Sequence, residues 1–201
     1  MSILRSAAPR EVTRSPRRYG FHATLKAPLR LREGAQLDAF IDAVASLAWA
    51  HAPFTMPRLE VRWLADFLAI RPAHDVAPEH PLRRLADRCV CELDEWRAPM
   101  SPAALQRHGP PASDDPHARE RTHQWGYPHV LDHWRFHMTL SDPVPERSVS
   151  SRHSVEALAR QHFAPALTLP LMCDELAVFV EAAQGADFVL VQRLPLWRRP
   201  R

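Results

Sequence analysis

A five-residue pattern, F-H-x-T-L, occurs twice in this chain, at 21–25 and at 136–140. The surrounding stretches are 19–31, Y-G-F-H-A-T-L-K-A-P-L-R-L, and 134–142, W-R-F-H-M-T-L-S-D. In an extended strand, alternate side chains point to opposite faces. Phe21, Ala23 and Leu25 then share one face, and His22, Thr24 and Lys26 the other. In the second stretch Trp134, Phe136, Met138 and Leu140 share one face, opposite Arg135, His137, Thr139 and Ser141. Each stretch is therefore expected to be a strand with one core face. The other face presents an imidazole, a hydroxyl and a cation in steps of about 7 Å. The two polar faces are expected to look at each other across a cleft and to act on a phosphoester.

The pattern is part of a larger repeat. The offset of 115 between His22 and His137 carries Gln36 onto Ser151 and Leu59 onto Asp174. Helical spacing of apolar residues predicts a helix over 36–50 and another over 152–163. Alternation predicts hairpins over 59–72, turning at Ala65-Asp66, and over 175–194, turning at Gln184-Gly185. Strand, helix and hairpin thus recur in the same order, the signature of an internal duplication. Two like units can pair about a pseudo-twofold axis.

Between the copies lies a segment of different character. Pro81 opens a predicted helix over 82–96, whose Leu82, Leu85, Ala86, Cys89, Val90, Leu93 and Trp96 form a helical stripe. A proline-rich loop over 98–115 and a short helix over 116–125 follow, stopped by Gly126 and Pro128. The lead-in 1–15 shows no periodicity and is expected to be loose or partly ordered.

Composition narrows the partners. A formal net charge of +3 is a mild positive field that favours small anions. It lacks the dense basic stripe of a dedicated nucleic-acid binder. Nucleic acid is expected at most as an RNA end or a nucleotide. Lys26 is the one lysine of the chain. No apolar run reaches membrane-span length. The three cysteines Cys89, Cys91 and Cys173 form no C-x-x-C pair, which suggests a reducing cytoplasm.

Two H-x-T motifs, one in each half of a duplicated α+β unit, resemble the 2H phosphoesterase superfamily. The flanks P-R-R-Y-G-F-H-A-T-L-K-A-P and G-Y-P-H-V-L-D-H-W-R-F-H-M-T-L resemble more closely a bacterial branch encoded with phosphonate-utilisation genes, domain of unknown function 1045. The resemblance implies two antiparallel sheets facing a central cleft with helices outside. It implies a single domain over 16–201, with lobe one at 19–72, a helical insert at 81–128 and lobe two at 133–197. It also implies a further strand and helix ahead of the first motif. Residues 1–15 leave no room for them, so the first lobe is expected to be N-terminally shortened, with an unpaired sheet edge.

The activity implied is that of a metal-independent cyclic phosphodiesterase on a small ribose-phosphate. His22 and His137 would be its general base and general acid. Thr24 and Thr139 would hold phosphoryl oxygens, with Lys26, Arg135, Tyr19 and Tyr127 as further substrate contacts. No cofactor is implied, and oligomeric state is not readable. One alternative is a binder that holds a phosphorylated ligand or RNA end without turnover. The other is a metal site: His129, His133 and His137 are spaced four apart and would stack on a helix. Pro128 and the alternation of F-H-M-T-L argue against that helix.

Overall fold

The computed structural model describes residues 12–100 and 116–197. Among these are five α-helices and seven strands. In chain order they are α1 (Arg14–Tyr19), α2 (Leu37–Trp49), β1 (Phe54–Thr55), β2 (Leu59–Leu64), β3 (Phe67–Pro72), α3 (Pro81–Glu92), α4 (Pro116–Trp125), β4 (Met138–Thr139), α5 (Val149–Leu167), β5 (Met172–Cys173), β6 (Glu175–Glu181) and β7 (Phe188–Pro195). The strands make three small antiparallel sheets: β1 with β5, β2–β3–β4, and β6 with β7.

The periodic elements form as their patterns predict. Both hairpins pair antiparallel, and Ala65 takes the first turn at φ 54°. α3 begins with Pro81 at its first position, and the His80 ring accepts the Leu82 N–H at 3.1 Å. Its stripe of Leu82, Leu85, Ala86, Cys89 and Val90 is buried. The last turn of the predicted helix tightens into a 3₁₀ turn at Asp94–Trp96. The proline-rich loop lies almost wholly outside the described residues.

The halves of the chain exchange packing partners. β4, from the second half of the chain, pairs with β3 of the first half: Ala69 faces Thr139 and Ile70 faces Met138. α2 packs on β6 and β7, whereas α5 packs on β2. β1 and β5 pair with each other across the two halves. The elements expected to build lobe one within 19–72 and lobe two within 133–197 therefore lie on each other's hairpins. One apolar cluster joins them, running from Val44 and Leu47 through Val61, Leu68, Leu82 and Leu85 to Phe136, Leu176 and Leu194. Burying a side chain of this size contributes about 1.5–3 kcal/mol.

Two expectations are corrected here. Residues 21–30 form no strand; they run irregularly, with bends at Phe21, Leu25 and Lys26, and have no ladder partner among the described residues. Phe21, assigned to a core face, is accordingly 58% exposed and stacks on Phe163 of α5 at 5.5 Å. Of the lead-in, residues 1–11 lie outside the described residues, and α1 begins at Arg14. Periodicity could not reveal α1: none of its six residues is buried. Its N-terminus is held from far along the chain, where the Asp142 carboxylate accepts the N–H of Arg14 at 2.7 Å and of Ser15 at 2.9 Å. At its other end Arg18 pairs with Glu181 of β6 and donates to the Ala186 carbonyl at 2.8 Å. α1 is thus a strap fastened to the end of β4 on one side and to the β6–β7 hairpin on the other.

Burial works against ionisation of Asp142, and the bonds from Ser15 and Arg14 overcome it, holding its carboxyl below the ordinary range. A depressed carboxyl stabilises the fold above its unfolded pKa of about 3.9. That contribution is lost as pH falls through the lower folded value. Asp142→Asn is expected to cost about 1 kcal/mol at neutral pH. In thermal melts, the gap from wild type should close as pH drops through that range.

Candidate functional site

Gly20 shapes the approach to the first histidine. It ends α1 at φ 71°, ψ 178°, a region open essentially to glycine. The chain then bends at Phe21, and the His22 Nδ1 lies 3.1 Å from the Gly20 carbonyl. A carbonyl can only accept, so Nδ1 carries the proton. Nε2 is left as an acceptor, and the Thr24 hydroxyl donates to it at 3.1 Å. The His22 ring sits between Tyr19, 6.2 Å away, and Phe179 of β6, 5.6 Å away.

The second histidine repeats this arrangement. His137 Nδ1 donates to the Arg135 carbonyl, again two residues back, at 2.8 Å. Its ring lies 5.7 Å from that of Phe67, at the start of β3. Thr139 is held by the ladder to Ala69, and its hydroxyl has no partner among the described residues. Ser141, two residues on, does not share that role. It is 1% exposed, accepts the Leu68 N–H at 2.9 Å and donates to the Asp142 carbonyl.

One cavity of about 180 Å³ reaches both motifs, through His22 of the first and Thr139 of the second, while His137, Thr24 and Tyr127 are not among its lining residues. His22, Thr139 and Phe67 line it together with Ser15, Pro16 and Tyr19 of the α1 strap. This is room for several waters or a small anion. The Trp134 indole N–H donates to the Thr24 carbonyl at 3.0 Å, a direct bond between the two stretches. Tyr127 lies beside Tyr19: burial first, and then that neighbour, raise its phenol above the ordinary value.

Two expected contacts lie elsewhere. Lys26 turns away from His22 and Thr24 to donate to Asp94 and to the Val90 carbonyl, both at 3.0 Å. Burial lowers the Lys26 ammonium despite the pull of Asp94. Asp94 is bonded by Arg97 as well as Lys26; these bonds overcome its own burial and keep it below the usual range. Lys26 is therefore a structural cation under α3. Arg135 is exposed and folds back onto the carbonyls of Asp132 and Trp134.

The metal reading of His129, His133 and His137 loses its premise, since the three do not share a helix. His133 closes a 3₁₀ turn and His137 precedes a strand. Among the described residues no group of three or more His, Cys, Asp or Glu could hold a metal ion. His129 instead packs edge-on to Tyr127 at 5.5 Å. Burial, then Arg121, His133 and His137, lower its imidazole from the ordinary value.

The motifs alone did not reveal Asp142, Phe67, Phe179 or the role of Trp134. Each acts through a partner more than forty residues away, and no local pattern marks such a pairing.

Comparison with known sequences places this geometry in a family. The model of a protein of unknown function, DUF1045, matches residues 24–189. The chain belongs to the DUF1045 family. Two curated relatives are each named ribose 1,5-bisphosphate phosphokinase PhnN. One, from Janthinobacterium sp. (strain Marseille), is 36% identical over 187 residues, covering 92% of this chain and 40% of the relative. The other, from Laribacter hongkongensis (strain HLHK9), is 36% identical over 185 residues, covering 92% of this chain and 41% of the relative. The chain thus spans about two fifths of the length of the curated relatives it matches. No solved structure matches. The relatives' names correct the expected enzyme class: a phosphokinase transfers a phosphoryl group, whereas the expectation was a hydrolase of a cyclic diester. No helix among the described residues is long and apolar enough to cross a membrane.

At Gly20 a Cβ would meet nothing within 4 Å, so the cost of a side chain there is purely conformational. Gly20→Ala is expected to cost about 1–3 kcal/mol in denaturant unfolding. Lys26→Met strands Asp94 with one cation instead of two. It should cost about 1–3 kcal/mol in the same measurement and leave the His22 imidazole NMR signals in place.

Proposed function

We propose that this chain binds a phosphorylated ribose by its phosphate, in the cavity between α1 and β4, and that His22 and His137 exchange protons with the phosphoryl group. The observation that carries this reading is the geometry shared by the two histidines, which assigns them the same tautomer. Each commits its Nδ1 proton to the carbonyl two residues before it, leaving Nε2 as the nitrogen available to a ligand. A neutral Nε2 accepts a proton or a hydrogen bond; once protonated it donates one to a phosphoryl oxygen. Thr139 offers an uncommitted hydroxyl, and Thr24 one that can move from Nε2 to the ligand. Tyr19 and Phe67 supply the aromatic lining, where a sugar would lie against ring faces.

Ribose bisphosphate as a ligand class rests on the relatives' name. Phosphoryl transfer from a nucleotide commonly uses G-x-x-x-x-G-K-[ST]. The one lysine here follows Leu25 and is bonded to Asp94. This reading therefore gives the chain the ribose-phosphate side of such chemistry and no nucleotide cradle. The likeness to a phosphonate-linked branch, together with that name, supports a place in phosphonate metabolism. The fold is read as a duplicated two-lobe arrangement of the 2H type. The exchanged helices and hairpins support this, as does the antiparallel β1–β5 pair between equivalent elements.

Calorimetric titration with ribose 5-phosphate tests the proposal. Binding is expected to persist in a chelator, to vanish for ribose, and to weaken at least about tenfold in His22→Ala and in His137→Ala. If neither ribose 5-phosphate nor inorganic phosphate binds, or if both variants bind like wild type, the reading is wrong.

A further inference from the structure

The first H-x-T segment raises an accounting question, because a buried or half-buried backbone needs partners. Between Phe21 and Leu29 no backbone–backbone hydrogen bond is made among the described residues. The β4 motif has a ladder to β3; this one has none. Its main chain is held instead by one side chain from the other motif, the Trp134 indole on the Thr24 carbonyl at 3.0 Å. Trp134 is well placed to be rigid. It is 7% exposed, lies edge-on to Phe136 at 6.1 Å, and belongs to the central apolar cluster. On the far side of the same residue, the Thr24 hydroxyl meets His22 Nε2.

We infer that Trp134 is a positioning residue: its N–H fixes the Thr24 main chain, and thereby sets where the Thr24 hydroxyl and His22 Nε2 stand relative to the His137 motif. In a strand-held motif the ladder would do this through regular backbone bonds. Here one indole N–H supplies the hydrogen bond between the two motifs, while Lys26 and Phe21 fasten the flanks of the first to α3 and α5. The consequence for ligand rests on the ribose-phosphate reading above; the consequence for His22 does not.

Trp134→Phe keeps an aromatic ring in the core and removes the donor. Trp96→Phe is the matched control, because the Trp96 Nε1 is buried with no partner among the described residues. In Trp134→Phe the ¹⁵N NMR signal of His22 Nε2 is expected to shift in the free protein, while that of His137 holds. Affinity for ribose 5-phosphate should fall about tenfold. Thr24→Ala should then weaken binding much less in the Trp134→Phe background than in wild type. Trp96→Phe should leave the His22 signal and the affinity unchanged. An unmoved His22 signal in Trp134→Phe, or an equal shift in Trp96→Phe, overturns the inference. If wild type binds no phosphate probe, the proposed function fails, and the His22 signal still decides the role of Trp134.

Discussion

The cavity depends on packing partners being exchanged between the two halves of the chain. β4 carries its histidine motif onto the β2–β3 hairpin of the first half, and the first motif rests on Phe179 of the second. α2 and α5 cross over in the same way. The physical reason lies in size. A half that holds little more than one helix and one hairpin is too short to bury an adequate core by itself. Exchange lets both units draw on one apolar cluster. The cavity therefore cannot form from either half alone, because His22 comes from one and Thr139 from the other.

Charged groups around this core act mainly as fasteners. Asp142 and Arg18 tie the two ends of the α1 strap. Lys26, Asp94 and Arg97 tie the first motif's exit to the end of α3. Arg83, 7% exposed, bonds both Asp87 and Asp132 and so joins α3 to the turn that precedes the second motif. With these groups satisfied locally, His22 and Thr139 line the cavity without an ion partner among the described residues. That division explains why the chain's one lysine, which looks like a phosphate contact in sequence, is not at the cavity.

The site was legible in part. His22, Thr24, His137 and Thr139 stand out because the same residue types recur in the same order, and Thr24 does face His22 as alternation requires. Alternation failed two residues further on at both motifs. Lys26 leaves because Asp94 offers a buried partner. Ser141 leaves because the Leu68 N–H needs an acceptor. In each case a long-range bond outweighed a local periodicity. The activity expected from the motif was also overtaken: the relatives are named as phosphokinases, and their greater length leaves the residues behind that name undetermined by this chain.

Amphipathic spacing by itself marked the helices α2 and α3, whose apolar stripes are buried, since such a stripe is a local property of the chain. Repetition by itself singled out the two histidines. Which hairpin each motif would join was decided by tertiary structure alone. So were the α1 strap, whose exposed helix leaves no apolar pattern, and the unladdered course of the first motif. These features arise from single bonds between residues far apart, as Trp134 to Thr24 and Asp142 to Arg14, and no stretch of sequence records its distant partner.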